Sequence, residues 1–409
     1  MIAGEALRTR GEDWVAVSQL ELVSTRVETD AGTARLIGTI RTVPGQLREI
    51  YFAVPREFGG MLFDAADAFV PALLVPAMVA GADLVLQPPV SARMLGQLET
   101  IQDILVRFHG FRRARVTAQP RAGGQPGPAT AVHFSGGVDS SHSLMRGLRS
   151  AIPGVAAPEY LLFFKGLEQP LSKLTNVEAS IAAVASVARR TGTTLLVVET
   201  NLRDVFNPNY ERYYHGSALA AASLALAAGV GRVVVPASYD YAHLMPWGSH
   251  PLLDPLWSTE RQQIVFGGGG SRRVDKVEEL VREWPESLEW LRVCLANDGG
   301  GSNCGRCRKC VRTMAALDLL GALERAPLFP PRLPPDAAAV LGLEAPLWLE
   351  ELQELGGRCA PGSPTCRLVE RVLVRQRRRR AARSLCESTP GLASALTGLD
   401  RLRRVLRRG

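Results

Sequence analysis

Apolar positions follow two rhythms along this chain. Between residues 129 and 240 they fall in short unbroken runs: Thr130–Phe134, Tyr160–Phe164, Thr194–Glu199 and Arg232–Ala237. Runs of that length without alternation suit strands buried on both faces. Stretches with helical spacing separate them, namely Ser140–Leu148, Asn176–Thr191 and the Ala-rich Gly216–Ala228. Strand–helix alternation of this kind predicts an α/β fold built on a doubly wound parallel sheet.

Upstream the rhythm is looser. Trp14–Val23, Thr33–Val43 and Glu49–Val54 alternate partially and carry β-branched residues, so they are expected as strands. Helices are expected around Phe63–Val79 and Ser91–His109, with a short strand over Ala114–Thr117. The Gly/Pro-rich stretch Arg121–Pro128 then reads as a linker. Downstream, helices are expected over Lys276–Trp284, Ser287–Val293 and Val311–Glu324, and prolines crowd Pro327–Pro335. Three regions follow: an N-terminal α+β domain over 1–120, a nucleotide-type domain over 129–325, and a helical, basic region over 336–409.

Composition changes this picture at two points. The apolar run Ala68–Ala82 holds Pro71 and Pro76 and is shorter than the ~20 residues a membrane span needs, so it reads as core. With no basic-apolar leader pattern at the start, a cytoplasmic protein without membrane contact is expected. The net charge of +8 is unevenly placed. From Arg358 to Gly409 there are fourteen arginines and three acids, a balance of 14 − 3 = +11, leaving 8 − 11 = −3 for the rest. That tail suits either a nucleic-acid partner or a solvated Arg-rich helical surface.

Ser135-Gly136-Gly137-Val138-Asp139-Ser140 follows the first of the buried runs and opens a helical stretch. Two glycines let backbone approach an anion closely. The N–H groups of the turn and of the first helical turn face such an anion, and the helix dipole favours negative charge there. Ser135, Ser140 and Ser141 add hydroxyl donors, and Asp139 is expected to hold Mg²⁺ bridging to phosphate. Ser-Gly-Gly-x-Asp-Ser after a strand resembles the signature of the PP-loop ATP pyrophosphatases. The resemblance implies ATP bound through Ser135, Gly136, Gly137, Val138, Asp139, Ser140 and Ser141, with Asp139 and Ser140 as the catalytic pair. It also implies attack of a substrate oxygen on the α-phosphorus, release of pyrophosphate, and displacement of AMP by a second nucleophile.

Cys294, Cys304, Cys307 and Cys310 supply four soft ligands within a short span. That number suffices for a closed tetrahedral Zn²⁺ site, which is structural in character. An iron–sulfur cluster or free thiols are the alternatives. Gly305 and Gly299–Gly301 offer the turns a knuckle needs. Among PP-loop enzymes, a late Cys304-Gly305-Arg306-Cys307-Arg308-Lys309-Cys310-Val311-Arg312 resembles the 7-cyano-7-deazaguanine synthases, over roughly residues 129–323. Those enzymes adenylate a deazaguanine carboxylate and use ammonia to make an amide and then a nitrile. The chain departs from their pattern between the two motifs, with Phe164–Gln169 and His243–Ser258 in place of the family's substrate segments.

The expectation is an ATP-dependent adenylating ligase acting on a small molecule with a carboxylate or amide. A tRNA-modifying sulfur or nitrogen transferase, and a non-catalytic nucleotide-binding interaction protein, stand beside it. Tyr239–Glu260, rich in aromatics and hydroxyls beyond a strand's carboxyl end, reads as a substrate pocket or as a loop covering the sheet. Arg272, Arg273 and Lys276, after Gly267–Gly270, read as phosphate-neutralising or as a solvated basic turn. His133 is expected in the core, His142 within reach of phosphate, and His215 as a cap or a substrate contact.

Overall fold

The computed structural model describes residues 18–43, 46–294 and 302–387. It divides into two compact units, Met1–Val293 with Asn297–Ser302, and Cys294–Ala296 with Asn303–Gly409.

The first unit is one ten-stranded α/β sheet. Its opening elements are β1 (Gln19–Thr29), β2 (Thr33–Val43), β3 (Gln46–Pro55), α1 (Phe69–Ala80), β4 (Asp83–Ser91), α2 (Ala92–His109) and β5 (Val116–Arg121). Next come β6 (Ala129–His133), α3 (Val138–Leu148), β7 (Tyr160–Lys165), α4 (Val177–Thr191), β8 (Thr194–Thr200) and α5 (Leu202–Val205). The unit closes with α6 (His215–Leu224), β9 (Val230–Pro236), β10 (Gln263–Gly267) and α7 (Arg273–Glu283). Strand order is β10-β9-β6-β7-β8-β3-β2-β1-β4-β5. The first five of these run parallel, which makes a mostly parallel sheet with an antiparallel stretch from β8 to β1.

β6 is buried at every position, as its unbroken apolar run requires. From β6 the chain steps one way to β7 and β8, then returns past β6 to β9 and β10. The gap between β6 and β9 is therefore a topological switch point, where loops leave in opposite directions and open a crevice.

The expected linker over residues 121–128 joins two halves of one sheet, and the division into a 1–120 domain and a 129–325 domain is corrected accordingly. α1 explains why. Its residues Phe69–Met78 are all buried, and they share one core with Tyr214, Ala218 and Ala222 of the later half. Tyr214 donates its hydroxyl to the Ala72 carbonyl at 2.6 Å. β3 also pairs with β8, through Phe52↔Thr200 and Ala53↔Glu199. Beyond that register, the Asn201 side chain continues the ladder, accepting from Tyr51 N–H (3.0 Å) and donating to Glu49 O (2.9 Å). Residues 14–17, at the start of the first expected strand, lie outside the described residues.

The second unit is helical: α8 (Arg308–Leu319), α9 (Ala337–Leu341), α10 (Pro346–Cys359) and α11 (Pro364–Glu387). Val311, Met314, Leu317, Leu349, Leu352, Leu355, Val369 and Leu373 are buried in it. The expected helical tail beyond Glu387 lies outside the described residues. No helix among the described residues is long and apolar enough to cross a membrane.

Candidate functional site

After β6 the chain turns through Phe134–Gly137 and enters α3 at Val138. Gly136 takes φ +79°, a left-handed conformation that costs a side-chained residue about 1–2 kcal/mol. Gly137 is the N-cap of α3 and, as a glycine, brings no side chain to the first-turn N–H groups at the switch point. Ser140 Oγ ties the loop to itself, accepting from Ser135 N–H (3.4 Å) and donating to Gly137 O (3.1 Å). Ser135 is exposed and Ser140 and Ser141 are buried. The Ser141 and Ser143 hydroxyls and His142 Nδ1 are buried with no hydrogen-bond partner.

Charges gather at this loop from distant segments. The Asp139 carboxylate forms an ion pair with Arg273 and lies 3.2 Å from Lys276 Nζ. Burial alone would raise the Asp139 pKa, but the positive charges of Arg273 and Lys276 prevail and hold it at about 2. Lys276 is almost wholly enclosed and also donates to Ala237 O, just past β9, at 2.5 Å. Arg292 N–H donates to Gly136 O at 2.8 Å, and its guanidinium donates to Ser180 Oγ on α4. A narrow cleft opens beside the loop, lined by Phe134, Ser135, Gly136, Val184, Trp290 and Arg292. Two cations, Arg273 and Lys276, thus stand against the one carboxylate of Asp139, and Arg292 holds Gly136 through its backbone N–H. The arrangement can hold a polyanion, with N–H groups on one side and guanidinium or ammonium groups on the other.

The structure separates the basic residues after Gly267–Gly270. Arg272 pairs with Asp275 at the start of α7, whereas Arg273 and Lys276 turn to Asp139. Nothing in the sequence marked Arg292. Ser287–Val293, expected as a helix, is instead a 3₁₀ turn over Pro285–Glu289 and then irregular chain, and that irregular chain brings Arg292 to the loop.

His133 lies in the core, as expected, but only half satisfied: its Nδ1 has no hydrogen-bond partner among the described residues. Nε2 bonds Ser223 Oγ at 2.7 Å, and burial depresses its pKa to about 3, so the ring is neutral. His142 bonds Glu279 at 2.8 Å, and Glu279 also accepts from Ser271 Oγ at 3.0 Å. His215 bonds Glu211 O at 2.8 Å. Tyr239–Glu260 divides in two. Ser249, His250, Asp254 and Trp257 are buried, and Asp254, pushed up to about 7 by burial, accepts from Ser249 Oγ at 2.5 Å. Tyr241, Leu244 and Met245 are exposed instead.

The second unit carries the cysteines. Cys294, Cys304, Cys307 and Cys310 place their sulfurs within 4.8 Å of one another. Gly305, at φ +69°, turns the chain between the second and third. A Cβ there would lie 2.5 Å from Pro330 Cγ. Cys307 then caps α8 and Cys310 falls in its first turn. Cys307 N–H donates to Cys304 Sγ at 3.3 Å, and Cys304 and Cys310 Sγ are 3.9 Å apart. A tetrahedron with zinc–sulfur bonds of about 2.3 Å has edges of about 3.8 Å, so the donor set fits Zn²⁺. Burial pushes the Cys304 and Cys310 thiols up, and a bound cation would be needed to keep such thiols ionised. The expected turn at Gly299–Gly301 lies outside the described residues. Compared with known proteins, the chain matches no family model, no curated protein and no solved structure.

Proposed function

We propose that this chain is an ATP-dependent adenylating ligase of the PP-loop type, related to the 7-cyano-7-deazaguanine synthases. The observation that carries the reading is the Ser135–Ser140 loop at the sheet's switch point, with Arg273, Lys276 and Arg292 drawn to it. In this reading the N–H groups of Gly137–Ser140 and the three cations hold the β- and γ-phosphates of ATP. A substrate carboxylate oxygen attacks the α-phosphorus, the α–β phosphoanhydride bond breaks, and pyrophosphate leaves with its charge neutralised in place. A nitrogen nucleophile then attacks the activated carbonyl carbon, the carbon–oxygen bond to AMP breaks, and the nitrogen gives up a proton. Ser140 holds the loop's shape, and Asp139 positions Arg273 and Lys276.

Asp139 does not suit the Mg²⁺ role first expected of it. Both of its oxygens face cations, and no second carboxylate joins it in the described hydrogen-bond set. For the cysteines we favour a single zinc ion over an iron–sulfur cluster. Thiolates on separate irons are spread by the cluster's body, and these sulfurs are gathered within 4.8 Å.

The test is a screen of carboxylates, including 7-carboxy-7-deazaguanine, for ATP-dependent release of AMP and pyrophosphate. AMP release that Asp139→Ala abolishes is expected. Release of ADP alone would sink the adenylation reading.

A further inference from the structure

α11 divides its circumference in two. Cys366, Val369, Val372 and Leu373 are buried on one side, against α10 and its neighbours α8 and α9. Gln376 on that side donates to Gly342 O (3.1 Å) and Glu344 O (3.0 Å). At about 100° per residue, Arg367, Arg371, Arg375 and Arg378 fall within an arc of about 80° on the opposite side. All four are exposed. Arg377, around the flank, pairs with Glu350 at 3.1 Å, while Arg371, Arg375 and Arg378 have no ion pair among the described residues. A rise of 1.5 Å per residue makes this stripe about 16 Å long, with a guanidinium roughly every 4–6 Å.

We propose that this stripe binds the phosphodiester backbone of a nucleic-acid duplex. Like charges one turn apart repel and weaken a helix; Arg367 donates to the Gly362 carbonyl, but Arg371, Arg375 and Arg378, without ion pairs among the described residues, stabilise nothing within the chain. Guanidinium forks match phosphate oxygens, and a duplex presents one phosphate charge per about 1.7 Å of its axis, so each arginine finds a partner. A membrane is a poorer fit. An interfacial helix inserts an apolar face, and the apolar face of α11 is already consumed by its own unit. The stripe carries no Asn, Gln or aromatic side chain to read base edges, so contact is with backbone and tolerant of sequence. Residues 388–409 continue the same balance in sequence, with five arginines and one acid. The inference is independent of the adenylation reading.

The experiment measures binding of the full-length protein to short labelled DNA and RNA duplexes by fluorescence anisotropy, between about 50 and 200 mM salt. If each of the four arginines neutralises one phosphate, log Kd changes with log salt by about 3.6, roughly 150-fold across that range. The triple variant Arg371→Gln/Arg375→Gln/Arg378→Gln should make the slope shallower by about 2.7. Its helix content should not fall, since these side chains face solvent and the substitution relieves their repulsion. Preference for DNA or for RNA would identify the source of the backbone, and either result supports the stripe. An unchanged slope in the triple variant overturns the proposal. So does absence of duplex binding at low salt, or binding to anionic lipid vesicles in place of duplex.

Discussion

The loop after β6 and the cysteine cluster are made by the same local device and set in opposite surroundings. In each, a left-handed glycine (Gly136, Gly305) turns the chain into a helix whose first turn bears chemistry. At the cysteines, the residues completing the site are sulfurs from one short segment, aimed at one another. At the loop, Arg273 and Lys276 arrive from α7 aimed at a carboxylate, Arg292 arrives from the chain after it through its backbone N–H, and the Ser141 and Ser143 hydroxyls have no partner among the described residues. The first arrangement is closed once a metal binds. The second, in the function proposed above, would keep its polar groups for a ligand that comes and goes. The difference teaches that a shared turn says little about whether a site is structural or catalytic. What surrounds the turn decides it.

That contrast can be broken most forcefully at the metal. Cys307→Ser should forfeit binding free energy on the order of 10 kcal/mol. Zinc content should fall from about one equivalent to near zero, and proteolysis should digest the chain beyond residue 302 while the sheet resists. A zinc-free variant with intact protease resistance would place the cysteines outside the stability of their unit.

The loop should respond differently. Asp139→Asn is expected to lower AMP release about 100-fold, the scale of losing one positioned electrostatic group. It also leaves Arg273 and Lys276 without a counter-charge, at a cost of about 2–3 kcal/mol, moderated because Asp139 keeps 21% of its side-chain exposure. Pyrophosphate should raise the melting temperature of the variant more than that of the parent, because the anion replaces the missing carboxylate. Equal shifts would mean that the cations do not serve an anion. The acid limb gives the same test by titration. The carboxyl is depressed from 3.8 to about 2, so its stabilisation is complete above about pH 4 and is lost as pH falls toward 2. Asp139→Asn lacks that loss.

The smallest effects compare the two glycines directly. Gly136→Ala meets only ordinary contacts, the nearest being Trp290 O at 3.7 Å, so conformational strain of about 1 kcal/mol is its main cost. Gly305→Ala adds the clash with Pro330 and should cost about 2–4 kcal/mol. Denaturation midpoints of the two variants check the order.

Much of this was legible in the sequence, and the reason is locality. Ser135–Ser141 and the cysteines lie in short contiguous spacings whose chemistry needs no knowledge of the fold. The runs of β6, β7, β8 and β9 were legible as strands for the same reason, although only β6 is buried throughout, while β8 alternates. β4 was not, because Pro88 and Pro89 argue against a strand; they sit where its pairing with β5 slips between Leu86 and Val90. β10 is only five residues long and follows a loop of mixed composition. Arg292 and the union of the two sheet halves depend on contacts between residues more than a hundred positions apart, which local pattern does not report.

The narrow joint between β3 and β8 carries a consequence for how the chain is made. Phe52 pairs with Thr200, so about 150 residues separate the partners. At roughly 5–20 residues per second, a ribosome takes about 7–30 s to supply the second after the first. Through that interval β3 is the open margin of a half-built sheet, and open margins recruit other chains. Charged Arg48 and Glu49 stand on that strand, a few residues before the joint. They place charge on that margin until β8 emerges, so the stretch of synthesis that leaves β3 open also covers the making of the Ser135–Ser140 loop.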